Sequence, residues 1–501
     1  MSSIVNEIRR GSYLDSVALM RLTRELTGLA GVEEAGLMIG TPANREILRE
    51  AGVLTTEGEA AGPGDLIIAV RAATPAQATA AIARARELLD ARRTGAAGAF
   101  GGASWRPRTL RSALEILPGA NLALISVPGD FAAAEARKAL SRGLNVMIFS
   151  DNVPLAEEVS LKREARDRGL LLMGPDCGTT LIAGTPLGFA NAVPRGDIGI
   201  IGASGTGIQE VSCLIARAGQ GISHAIGTGG RDLETEVGGI TTSMAIDLLE
   251  ADPATRQIVL LSKPPAETVA QAILARVAAC QKPYTICFLG SPVLEMPPNA
   301  RQAATLAAAA ETATGAIQIG GDPTSASSTP WVSGSLIRGL FAGGTLCAEA
   351  QVVFRARGMA AGSNAPIAKA AALDAGTMAA GHTLIDLGDD LFTRGRPHPM
   401  IEPAVRDAPL REAASQATTG VILLDVVLGF GAHPDPAEHL AAVVASLPRK
   451  PVIVASVTGT DADPQGYAAQ VAKLRAAGIE VLASNAAAAE RAVALIRSQR
   501  G

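Results

Sequence analysis

Aromatic side chains are scarce in this chain: 3% of its 501 residues, with two tryptophans and three tyrosines. Its core therefore cannot rest on large rings. Basic excess is also missing. A net charge of -4 and a pI near 5.9 leave no electrostatic footprint for nucleic acid, so no nucleic-acid partner is expected. No run of about 20 uninterrupted apolar residues occurs, so no membrane partner is expected either. The opening MSSIVNEIRRGSYLDS is too polar for a secretory signal. Cysteines are few, at 177, 213, 280, 287 and 347, and none forms a CxxC pair. That excludes a disulfide framework and fits reduced, buried thiols in a cytoplasmic protein. Histidines are as few, at 224, 382, 398, 433 and 439.

What is abundant is small and aliphatic. Hydrophobic residues make up 48% and glycines number 54. Ala, Gly, Val and Leu then carry the core, a mix that lets helices sit close to parallel sheets. Domains usually hold about 100–200 residues, so three or four are expected. Residues 1–95 read as a small α/β domain with strands near Val5–Tyr13, Glu34–Ile39 and Asp65–Val70. Thr41-Pro42 and Thr74-Pro75 are N-cap and N1 signals for two of its helices. The Gly/Ala-rich stretch Arg92–Ser104 reads as a linker.

Residues 105–192 alternate short apolar strands (Leu122–Ser126, Asn145–Ser150, Leu170–Met173) with helices. Residues 193–325 repeat the pattern with strands Ile198–Ile201, His224–Gly227, Gln257–Leu261 and Tyr284–Leu289. The segment Gly320–Pro330 reads as a boundary. Residues 331–501 hold strands near Thr383–Asp386, Val421–Val426, Pro451–Ser456 and Glu480–Leu482. Strand–helix alternation throughout predicts a multidomain α/β protein of doubly wound parallel sheets. Ligands belong at the carboxyl ends of such strands.

Three glycine-rich turns stand at those ends. The first runs Gly202-Ala203-Ser204-Gly205-Thr206-Gly207, the second Gly227-Thr228-Gly229-Gly230-Arg231-Asp232, and the third Phe341-Ala342-Gly343-Gly344-Thr345-Leu346. Glycines let a ligand approach the backbone, and free N–H groups with the helix dipole favour an anion. One such turn is common in βα connections. Two of the same form, opening helices in successive domains, are more specific. They predict that the N–H groups of Ser204–Gly207 and Gly343–Leu346 face one shared cavity.

The order GPDCG (174–178), IGIIGASGTGIQE (198–210), GTGGRDLE (227–234) and LLEADPAT (248–255) resembles the α subunit of succinyl-CoA synthetase. LFAGGTLCAE (340–349) resembles a helix start in that enzyme's β subunit. With GRPHPMI (395–401) added, the whole chain resembles the FdrA family. The resemblance implies a Rossmann-like CoA-binding-like unit at 105–192 and two flavodoxin-like ligase domains at 193–325 and 331–501.

Departures from the synthetase shape the expected chemistry. Its histidine loop follows a strand that here reads YTICFLG, and SPVLEMPPNARQ follows with no histidine. Its first CoA loop is replaced by GAAGAFGGASWRPRTL, and no P-loop or ATP-grasp domain is visible. What the FdrA resemblance implies instead is one subunit of a carbamoyltransferase. The reaction is phosphorolysis of a ureido carboxylate such as oxalurate to carbamoyl phosphate and oxamate. It needs no cofactor, takes a small anionic substrate and phosphate, and implies partner subunits and a homo-oligomer. An acyl-CoA ligase using CoA and ATP is the rival reading, and a non-catalytic scaffold subunit is the third.

Ser204, Gly205, Thr206, Gly207, Gly229, Gly230, Arg231, Gly343, Gly344 and Thr345 are the candidate phosphate-binding residues. Lys263 reads equally as an anion ligand and a surface lysine. Arg394, Arg396 and His398 are candidates for a catalytic clamp on phosphate or carboxylate; the alternative is a solvated loop whose arginines pair with Asp389 or Asp390. No metal site is expected: His433 and His439 read as part of a helix start. Cys177 reads as a buried thiol, and Asp461 and Asp463 as caps of a turn and the next helix.

Overall fold

The computed structural model describes all residues except 1, 13, 15, 96–106, 108, 317–333, 368–371, 374–380, 394–396 and 499–501. The chain forms two compact units. One comprises Met1–Leu144, Ser150–Asn152 and Thr393–Pro397, and the other comprises Asn145–Phe149, Val153–Phe392 and His398–Gly501.

The first unit opens with a three-stranded sheet in the order Ser3–Arg9, Leu66–Ala72, Val32–Ile39. Its central strand, LIIAVRA, is buried along almost its whole length. Period-2 alternation sends Leu66, Ile68 and Val70 to a core with Leu22, Leu26 and Ile82. Ile67 and Ala69 face Leu48 and Val53 on the other side. Both pairings are antiparallel, which corrects the expectation of parallel sheets throughout. The first two strands run parallel to each other but leave a gap. The third fills it in the opposite direction, a split β-α-β arrangement. Thr41 caps the Pro42–Glu50 helix by accepting the Asn44 amide at 3.2 Å. The Pro75–Gly95 helix runs into the segment expected to be a linker from Arg92. The expected boundary Gly320–Pro330 lies outside the described residues.

The second unit carries two large sheets. The first has the order Ala300–Gln302, Tyr284–Phe288, Gln257–Ser262, Arg195–Gly202, Ile222–Gly227, Thr179–Ile182, Thr185–Gly188. Its first five strands are parallel, and the hairpin 179–188 is added antiparallel at one edge. The second sheet is wholly parallel: Ala361–Gly362, His382–Asp386, Leu336–Phe341, Thr419–Val427, Val452–Thr458, Glu480–Leu482. Strands such as VILLDVV are buried on both faces, as crossover helices require.

One continuous core joins the two sheets. It includes Ile200, Ile208 and Val211 from the first domain and Phe341, Leu346 and Phe354 from the second. Alanines make this close packing possible. Ala486, Ala487, Ala488 and Ala489 are all buried at the start of the Asn485–Arg497 helix.

Candidate anion site at two helix starts

The Arg195–Gly202 strand leads into the Gly205–Arg217 helix. Ser204 is its N-cap in an extended conformation, and its Oγ accepts the Gly207 amide at 3.0 Å. The Leu336–Phe341 strand leads in the same way into the Gly344–Ala356 helix, with Gly343 as N-cap. The two helix starts meet: the Ser204 hydroxyl is hydrogen-bonded to the Thr345 hydroxyl. Gly207 makes the approach possible, since a Cβ there would lie 2.7 Å from Ser204 Oγ and 3.2 Å from Thr345 Cγ2.

Not every amide in these turns faces a ligand. Gly207 N–H is used by Ser204. Gly343 N–H donates to Asp425 Oδ2 and Ala342 N–H to Asp425 Oδ1, both at 2.7 Å. Asp425 is fully buried and held by Arg406, whose Nη2 donates to Oδ1 at 2.8 Å. Gly207 and Gly343 thus shape the turns rather than present their N–H groups. The amides of Gly205, Thr206, Gly344, Thr345 and Leu346 have no partner among the described residues.

Asp386 and His398 stand beside those amides. Asp386 ends its strand and is 5% exposed. Its Oδ1 accepts the Gly388 amide at 2.9 Å. Its Oδ2 has no hydrogen bond among the described residues and lies against Gly344, where a Cβ would approach it to 2.5 Å. Burial pushes the Asp386 carboxyl up to about 6, with the Lys263 ammonium opposing. His398 Nδ1 accepts the Met400 amide at 3.2 Å, so in the neutral ring Nε2 carries the hydrogen. A Cβ on Gly388 would meet Nε2 at 2.6 Å and Asp386 Oδ1 at 3.2 Å, so both groups flank Gly388. Burial lowers the His398 pKa to about 4. The residue is therefore a neutral donor at pH 7, not a cationic clamp. Lys263 is exposed at the end of the Gln257–Ser262 strand. Arg394 and Arg396 lie outside the described residues.

The second glycine turn is used otherwise. Arg231 donates to the Val153 carbonyl at 2.8 Å and pairs with Glu158 at 2.8 Å. Gly229 packs on Pro175 and Gly174, and Gly230 lies near Asp176. Arg231 is thus committed to a protein carboxylate, and this turn docks on the 174–178 loop. Lys162, wholly buried, pairs with Glu158 and Asp232 beneath it. Cys177 is buried, and burial pushes its thiol up to about 11. Asp463 does more than cap: besides the Thr460 amide it accepts Asn191 Nδ2 and the Ala192 amide, tying the segment that leads into the Arg195–Gly202 strand to the last domain. His439 pairs with Asp407 at 2.8 Å, and His433 Nδ1 accepts the Asp435 amide.

The chain is 40% identical to the uncharacterized protein YahF of Escherichia coli strain K12 over 499 residues, 95% of each chain. The chain belongs to the FdrA family. Residues 1–104 match a family described as AllF, heavy metal-associated domain; residues 195–290 match a CoA binding domain; residues 340–495 match CoA-ligase. This FdrA protein is 32% identical over 149 residues to a mitochondrial alpha-2 subunit of ADP-forming succinate–CoA ligase from Trichomonas vaginalis. It is 28% identical over 181 residues to subunit SauD of the ADP-forming sulfoacetate–CoA ligase of Bilophila wadsworthia. Those matches cover 29% and 34% of this chain and 47% and 59% of the relatives, so the chain spans about half of each. It is thus a succinyl-CoA-synthetase-like protein of the CoA-binding and CoA-ligase type. The first 104 residues contain no Cys and no His, so they do not fit a soft-metal site despite the family's description. No described helix is long and apolar enough to cross a membrane.

Proposed function

We propose that this FdrA protein transfers a carbamoyl group to phosphate. It would split a ureido carboxylate such as oxalurate into carbamoyl phosphate and an amide such as oxamate, with partner subunits and without a cofactor. The observation that carries this reading is the meeting of two helix starts, with amides at Gly205, Thr206, Gly344, Thr345 and Leu346 that have no partner among the described residues, beside Asp386, His398 and Lys263. Such amides hold phosphate and stabilise a developing oxyanion without reorganising. A phosphate oxygen attacks the carbamoyl carbon, the bond from that carbon to the oxamate nitrogen breaks, and the proton of hydrogen phosphate ends on the departing nitrogen. His398 does not fit a phosphohistidine carrier, since Nδ1 is occupied by an amide and Nε2 carries hydrogen.

The CoA-binding and CoA-ligase matches favour a second reading, acyl-CoA formation with CoA and ATP. The chain is incubated with its partner subunits, oxalurate and phosphate, and carbamoyl phosphate is assayed. A parallel incubation with carboxylates, CoA and ATP is assayed for thioester. Carbamoyl phosphate alone is the expected result, and thioester alone reverses the proposal.

A further inference from the structure

The paired helix starts would by themselves accept any small oxyanion. Asp386 changes that. It places one oxygen of a largely buried carboxylate, with no hydrogen bond among the described residues, directly against Gly344 at the mouth of one helix. An ionised carboxylate only accepts hydrogen bonds. A buried acceptor left unmatched is costly, and a second negative oxygen at the same place adds repulsion.

We infer that Asp386 makes this site selective for oxyanions that carry a hydrogen: Oδ2 accepts the P–OH of hydrogen phosphate and repels sulfate. The inference rests on the proposed oxyanion site at the two helix starts, but not on the carbamoyl chemistry. Near pH 7.5 phosphate is mainly the singly protonated dianion, whereas sulfate has no hydrogen to offer. The two are otherwise alike in shape and charge, so the helix amides and Lys263, which only donate, cannot tell them apart. Arsenate, protonated like phosphate, belongs with phosphate.

The charges around Asp386 are consistent with an ionised carboxylate at that pH. Lys263 stabilises its charge from the first domain, while Asp389 and Asp425 oppose it from the second. His398, neutral, contributes no charge. The Cys347 thiol, on the same helix, is held protonated by burial. Near pH 5 Asp386 gains its own hydrogen and becomes a donor, so the preference weakens as pH falls through about 6.

Isothermal titration calorimetry on the full chain at pH 7.5 tests this with phosphate, arsenate and sulfate. Phosphate and arsenate are expected to bind about 10- to 100-fold more tightly than sulfate, the size of one hydrogen bond to a charged group. In Asp386→Asn the amide can donate, so sulfate gains, phosphate loses, and the ratio collapses to within about threefold. The wild-type ratio also shrinks at pH 5, a readout that needs no variant. Equal binding of phosphate and sulfate by the wild type, or a ratio retained in Asp386→Asn, overturns the inference. Absence of phosphate binding overturns both it and the oxyanion site. Selective binding without carbamoyl phosphate formation overturns only the proposed reaction.

Discussion

Replacing Glu349 by Gln tests how the helix pair beneath the site is held. Glu349 is wholly buried on the Gly344–Ala356 helix. Oε1 accepts the Leu306 amide at 2.6 Å, and Oε2 accepts Asn485 Nδ2 at 2.7 Å. Glu210, on the Gly205–Arg217 helix, accepts the Asn485 amide and the Thr458 hydroxyl, so Asn485 bridges the two carboxylates. Burial, reinforced by the Glu210 charge, pushes Glu349 from 4.5 up to about 7. At ~1.36 kcal/mol per pH unit that rise corresponds to about 3 kcal/mol. The folded protein holds this proton more tightly than the unfolded chain. Below pH 4.5 both are protonated and the group costs nothing. As pH rises from 4.5 to 7 the unfolded chain loses its proton first, stability falls, and above 7 the loss is constant. Gln has no such titration. The stability of Glu349→Gln relative to wild type is therefore expected to climb by about 3 kcal/mol between pH 4.5 and 8. The altered hydrogen bonds add a fixed cost of about 1 kcal/mol that does not vary with pH. Urea unfolding followed by circular dichroism at both pH values measures this difference. An unchanging gap between variant and wild type would show that Glu349 is not a strained carboxyl and that the reasoning fails.

Arg406→Met removes the guanidinium from buried Asp425 and is expected to cost about 3–5 kcal/mol, read as a lowered Tm; a Tm unchanged within a degree refutes it. Lys263→Met is expected to leave stability within about 0.5 kcal/mol, as for an exposed side chain, while phosphate affinity falls and Asp386 titrates higher in carboxyl NMR; unaltered affinity removes Lys263 from the site. Gly344→Ala drives a Cβ to 2.5 Å from Asp386 Oδ2, whereas Gly205→Ala meets only Thr179, its hydroxyl at 3.2 Å and its other atoms at ordinary contact distance. Phosphate titration should therefore show the larger loss for Gly344→Ala, and the reverse order contradicts the placement of the anion.

The alternation of short apolar runs with helices was legible because it is local. The strands expected at Ile198–Ile201, Gln257–Leu261 and Val421–Val426 lie within observed strands. Direction was not legible. LIIAVRA has the same periodicity whichever way its neighbours run, and only the gap left between its two partner strands makes it antiparallel. Capping was legible at Thr41-Pro42, since cap and target lie three residues apart. Asp425 was hidden inside VILLDVV: its partners, Ala342 and Gly343, become neighbours only through pairing of the Leu336–Phe341 and Thr419–Val427 strands. The one available signal was a lone carboxylate in a strand otherwise apolar enough to be buried.

The three glycine turns show why such turns do not define a site by themselves. All follow strands, yet each is answered differently by what stands beside it. At Gly227–Asp232 the answer is the 174–178 loop and Glu158, which occupy the turn and its arginine. At Gly343–Leu346 a buried aspartate takes the first amides, and the next ones have no partner among the described residues. At Ser204–Gly207 the cap serine takes one amide and turns its hydroxyl to Thr345. Glycines supply only permission for close approach. The choice of what approaches belongs to strand-end side chains such as Asp386, which pack against the turn from a neighbouring strand. A sequence pattern built on the turns finds the candidate place; the side chains that pack against it, such as Asp386, lie more than forty positions away along the chain from Gly344.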